Sequence, residues 1–141
     1  MLVADIRQDH IQLTGASALL QVSATDEELR LGAERELRGA HMRLRRSRMG
    51  FARPGAAEGR RVYRDYTRCM ASLRAVCALS GRDAGGPSAA AHAVVADVLG
   101  VDVQLLERLR ALPTRSADPG RAAAGFSAVL EAAIARVDQL A

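Results

Sequence analysis

The residues best equipped for chemistry in this chain are arginines. Nine of them, Arg43, Arg45, Arg46, Arg48, Arg53, Arg60, Arg61, Arg64 and Arg68, fall between positions 43 and 68, against only two carboxylates, Glu58 and Asp65. That stretch carries +7, while the rest of the chain holds eleven arginines against fourteen acids, leaving the formal net charge at +4. A guanidinium is planar and presents paired N–H donors that match phosphate and carboxylate oxygens. A concentrated patch of them reads as a site for an anionic partner, either nucleic acid or an acidic protein surface. The expected contact residues are Arg43, Arg46, Arg48, Arg53, Arg60, Arg61, Arg64 and Arg68. Aromatic interleaving is sparse, with Phe51, Tyr63 and Tyr66 nearby and Tyr66 expected in the core, so an RRM-like stacking platform is excluded.

Other chemistries fail on residue types. Every basic residue is Arg and none is Lys, which removes Walker A, Schiff-base and kinase lysines. Genomic G and C bias yields the same all-Arg usage, so no function is drawn from Arg identity. Ser17 and Ser127 follow glycine at nucleophile-elbow spacing, but the second glycine is missing and both fall in helical segments. No Glu has a His three positions later, and His10, His41 and His92 show no zinc spacing, so no metal or cofactor is expected. His10 reads as a packed core residue, and Asp5 with Asp9 as a bias on a helix start. Cys69 and Cys77 share one helix at about 12 Å separation, beyond disulfide reach. They read as reduced, packed thiols.

The elements that must position these groups are helices. The chain has 141 residues, 49% of them hydrophobic and 3% aromatic, enough for one domain with a core. Charges interrupt every apolar run, so no membrane span is expected. Asp5, Arg7 and Asp9 occupy the place where a signal peptide needs apolar residues, so the expected location is cytoplasmic. Val3, Ile6, His10, Leu13, Ser17 and Leu20 trace a first helix by their spacing of three and four. Thr25 with Glu28 makes a capping box for a second, whose stripe runs through Leu29, Ala33, Leu37, Ala40 and Leu44 to Met49 and Gly50. Phe51 to Gly59 reads as a loop. A third helix follows through Val62, Tyr66, Cys69, Leu73, Val76 and Ser80 and closes at Gly81. Ser88 is placed to cap a short fourth helix ending at Gly100. Asp102 is placed to cap a fifth that Pro113 stops. Asp118 and Pro119 open the last, lined by Phe126, Val129, Leu130, Ala133, Val137 and Leu140. The basic cluster therefore occupies the end of one helix, a loop and the start of the next. Cations in a last turn favour the helix dipole, which accounts for Arg45, Arg46 and Arg48. Arg60, Arg61 and Arg64 are expected near the first turn of the third helix, opposing its dipole by about 0.3 to 1 kcal/mol each.

Two local resemblances accompany this reading. Ala93 to Arg110 resembles a helix-turn-helix, with Ala96, Gly100, Val101, Leu106 and Leu109 at that family's small, turn and core positions. The resemblance implies groove binding by the second helix. It departs where Asp102 and Glu107 would face phosphates and Leu105 would be exposed. Arg35 and His41, five residues between them, resemble the Arg/His spacing of HEPN helical bundles. That resemblance implies an RNA-cleaving pair, His41 in acid–base work and Arg35 on phosphate.

The expectation is an all-α, single-domain antiparallel bundle of about four long helices plus a short helical pair. Its expected role is that of a non-enzymatic binding or regulatory protein presenting the Arg-rich end to nucleic acid or an acidic protein. A HEPN-like ribonuclease or toxin–antitoxin component, and an assembly adaptor working through helix–helix contact and a homodimer, are the alternatives.

Overall fold

Thr25 and Glu28 cap each other. The Glu28 amide donates to Thr25 Oγ1 at 3.2 Å, and the Thr25 amide donates to Glu28 Oε2 at 2.8 Å. This satisfies two of the N–H groups a helix start leaves open. It launches α1, Asp26–Gly50. The computed structural model describes residues 24–50, 56–113 and 118–140. The predicted first helix, with His10, Asp5, Asp9 and Ser17, lies outside them, as do Phe51 and Arg53.

α2 runs Ala56–Leu79, beginning inside the stretch expected to be loop. Glu58 stands in its first turn, where a negative charge meets the positive end of the dipole. The helix ends in a Schellman motif: Gly81 has φ 72°, its amide donates to the Ala78 carbonyl, and the Arg82 amide donates to that of Cys77. α3 covers Ser88–Leu99. Ser88 is its first residue rather than its cap, and no side chain caps this start. Gly100, at φ 65°, closes α3 in the left-handed conformation that glycine adopts without steric cost. Asp102 then accepts from the Gln104 amide at 2.9 Å to start α4, Val103–Arg110. Asp118 accepts from the amides of Gly120 and Arg121 to start α5, Pro119–Asp138.

Side-chain pairings fix the directions. Arg38 reaches Asp138 while His41 reaches Glu131, so α1 and α5 are antiparallel. Tyr66 packs on Phe126 while Ser80 meets Arg136, so α2 and α5 run the same way. Two parallel helices consecutive in the bundle need a crossover between them, and the α3–α4 pair supplies it, touching both α2 and α5. The bundle is thus all-helical among the described residues, with one parallel pair inside the expected antiparallel set.

The stripes read from the sequence form the core. Leu37, Ala33 and Ala40 of α1, Cys69, Leu73 and Val76 of α2, and Phe126, Val129, Leu130, Ala133 and Val137 of α5 are all fully buried. Leu140 is only half-buried. Leu105, which a groove-binding reading would expose, is instead partly buried against this core. A Cβ at Gly125 would collide with the end of its side chain, so a larger residue there would require Leu105 to shift. No described helix is long and apolar enough to cross a membrane.

Candidate anion-binding site

The short connection between α1 and α2 brings the end of one helix beside the start of the other. All eight described arginines of the cluster are exposed. Both of its carboxylates are buried, Glu58 at 3% and Asp65 at 7% exposure. The charge that faces solvent there is therefore almost wholly positive. Because α2 starts at Ala56, Arg60, Arg61 and Arg64 stand beyond its first turn. The dipole effect falls off within that turn, so the penalty expected from their position is largely absent.

Arg43, Arg46, Arg61, Arg64 and Arg68, with Ser47 and Asp65, line a cleft of about 520 Å³. Helical geometry explains the set. Arg61, Arg64 and Arg68 follow at three and four residues along one face of α2, and Arg43 and Arg46 do so on α1. Ser47 is turned inward, its hydroxyl donating to the Leu44 carbonyl at 2.8 Å. Arg43 is engaged from within, with Nη2 2.9 Å from Glu36 Oε1 and Nε 3.6 Å from Asp65 Oδ1. Arg46, Arg64 and Arg68 make no ion pair with a described residue. Arg48 and Arg60 are exposed but line no part of the cleft; Arg48 sits in the last turn of α1, where the dipole favours it.

Arg64 and Arg68 also line a second, larger groove of about 1040 Å³, which adds Arg35 from α1, Arg74 from α2 and Arg110 from α4. Its floor includes Tyr66 and His92, the buried members of a hydrogen-bonded chain that crosses three helices. Tyr66 Oη is 2.5 Å from His92 Nε2, and His92 Nδ1 is 2.7 Å from Glu107 Oε1. An ionised carboxylate only accepts, so Nδ1 carries a proton, and in the neutral imidazole Nε2 accepts from the Tyr66 hydroxyl. Burial raises the Tyr66 pKa, and the Glu107 charge adds to this, keeping the phenol protonated as that bond requires. Glu107 is held below its ordinary pKa first by the His92 hydrogen bond. Glu107, the residue at odds with groove binding, thus has a structural role. Nothing in the sequence marks this chain, since its members are 26 and 15 residues apart and only the crossover joins them.

Arg35 and His41 are not brought together. Six positions separate them by about 120° around α1, so Arg35 lines the groove while His41 faces α5. There, His41 Nε2 lies 3.4 Å from Glu131 Oε1 and 3.5 Å from Ser127 Oγ. This is no nucleophilic triad, because the same nitrogen meets both neighbours and the Ser127 hydroxyl donates to Glu131 at 3.0 Å. Cys69 and Cys77 are both buried and free. No group of three metal-ligating side chains occurs among the described residues.

No protein-family model, curated protein or solved structure matches this chain.

Proposed function

We propose that this chain is a non-enzymatic binding or regulatory protein whose arginine cleft, between the end of α1 and the start of α2, holds the phosphate backbone of a nucleic acid. The observation that carries this reading is the separation of charge by depth: the arginines exposed, the two carboxylates of the same stretch buried. Guanidinium groups repeating at each helical turn, about 5.4 Å apart along the axis, suit a partner whose charge also repeats regularly. Three of the cleft residues, Arg46, Arg64 and Arg68, have no ion pair with a described residue to break before engaging an oxygen. Arg43 contributes less, since Glu36 and Asp65 already hold it. Bonds to phosphate position a protein without reading sequence, so binding is expected to be tolerant of base order.

Fluorescence anisotropy at low salt tests this, with duplex DNA, duplex RNA, single strands and polyglutamate as probes. Binding of one or more nucleic acids, lost when Arg46, Arg64 and Arg68 are changed together to Gln while the helical circular dichroism persists, supports the reading. Binding of polyglutamate alone transfers the site to an acidic protein partner.

One observation favours self-association as a second property. Leu31, Met42 and Met49 are exposed at 45%, 50% and 81%, and their spacing places them within about 20° of one another around α1. Sedimentation of the wild type against Met42→Glu tests it, a concentration-dependent dimer in the first and a monomer in the second being expected.

A further inference from the structure

The larger groove has features that a phosphate-backbone cleft does not need. We propose that it is a binding site for a small aromatic phosphate, of the mononucleotide class. Its volume of about 1040 Å³ lies just above the range of ligand sites, roughly 300 to 1,000 Å³, so it has room for a mononucleotide. The chain has four aromatic side chains in all, and both of its tyrosines line this one groove. Tyr66 is locked into the floor by His92, whereas Tyr63 is half-buried and leaves part of its ring available. Met70 and Ala71 extend the apolar wall.

The charge is arranged differently from the apolar surface. Arg35 comes from α1, Arg68 from α2 and Arg110, whose Nε lies 3.6 Å from Glu107 Oε2, from α4, so cations of three elements line one space. The carboxylate lining that space, Glu36, is already held 2.9 Å from Arg43. An apolar, aromatic wall beside converging guanidinium groups suits a ligand with a flat ring and a doubly charged head. An inorganic anion would leave the wall unused, and a neutral nucleoside would leave the arginines unused. The inference stands apart from the nucleic-acid reading, sharing with it only Arg64 and Arg68.

Isothermal titration of the full chain with AMP, adenosine and inorganic phosphate tests it. AMP is expected to bind at least about tenfold more tightly than either fragment. Arg35→Gln and Tyr63→Ser are each expected to weaken AMP about fivefold or more, with Tyr63→Phe restoring the wild-type affinity. Arg121→Gln, a control on α5 outside both cavities, should change little. AMP binding no tighter than phosphate, or indifferent to both Arg35→Gln and Tyr63→Ser, overturns the proposal. Arg35 and Tyr63 lie outside the buried core, so the variants are expected to fold, which circular dichroism checks, and nucleic-acid binding by the cleft stands or falls separately.

Discussion

Arg43 on α1 leans toward Asp65 on α2, its Nε 3.6 Å from the carboxylate, and so ties together the two walls of the arginine cleft. Among the described residues, Asp65 is the only acid lining that cleft. It both subtracts from the positive field and anchors one of its members. Asp65→Asn is therefore expected to strengthen anion binding by about 1 kcal/mol, roughly fivefold. The same change is expected to lower unfolding stability by about 1 kcal/mol, because Arg43 is partly exposed and solvent screens the pair. Anisotropy and urea denaturation on one preparation check both signs.

The Tyr66–His92–Glu107 chain pins α2, α3 and α4 together. Tyr66→Phe keeps the ring packed on Phe126 but leaves His92 Nε2 buried without a donor. A loss of about 1 to 3 kcal/mol is expected in denaturant unfolding, with a Tm lowered by several degrees. His41→Ala, at a half-buried position with longer contacts, is expected to cost less.

Stability should fall on acidification partly through Glu107. Its folded-state pKa lies below the ordinary 4.5, chiefly because His92 hydrogen-bonds to it. A depressed carboxyl contributes stability that is fully present above its unfolded pKa and is lost as pH falls through the lower folded value. Unfolding stability followed downward from pH 5 is expected to drop in the wild type and to drop less in Glu107→Gln.

Both thiols are expected to be inert in the native protein. Burial pushes Cys69 up to about 12 and Cys77 up to about 11, and the thiolate is the reactive form. Ellman's reagent at pH 8 should label neither at an appreciable rate, and both promptly once the chain is unfolded in denaturant.

Locally determined features were legible from residue order. The Thr25–Glu28 box, the Asp102 and Asp118 caps and the Gly81 and Gly100 stops each arise within a few residues, so short-range rules reach them. The arginine cleft was legible for the same reason, since two consecutive helices and a short connection suffice to bring Arg46 beside Arg64. The start of α2 was misplaced because Pro54, Gly55 and Gly59 outweigh, in a local reading, the favourable position of Glu58 in a first turn. Features set by packing were not legible. Arg110 joins Arg35 across one groove only because the α3–α4 crossover carries α4 there. Likewise, Arg35 and His41 are close in the chain yet face different helices. The capture of Arg43 by Glu36 and Asp65 needs side-chain geometry that no spacing rule contains.

The salt dependence of binding tests the central claim most directly. Each phosphate neutralised releases condensed counterions, giving a slope of log Kobs against log salt of about −0.9 per contact on duplex DNA and about −0.7 on single strands. Changing Arg46, Arg64 and Arg68 together to Gln should flatten the wild-type slope by about 2 to 3. An unchanged slope, or wild-type binding that ignores salt, would contradict the account.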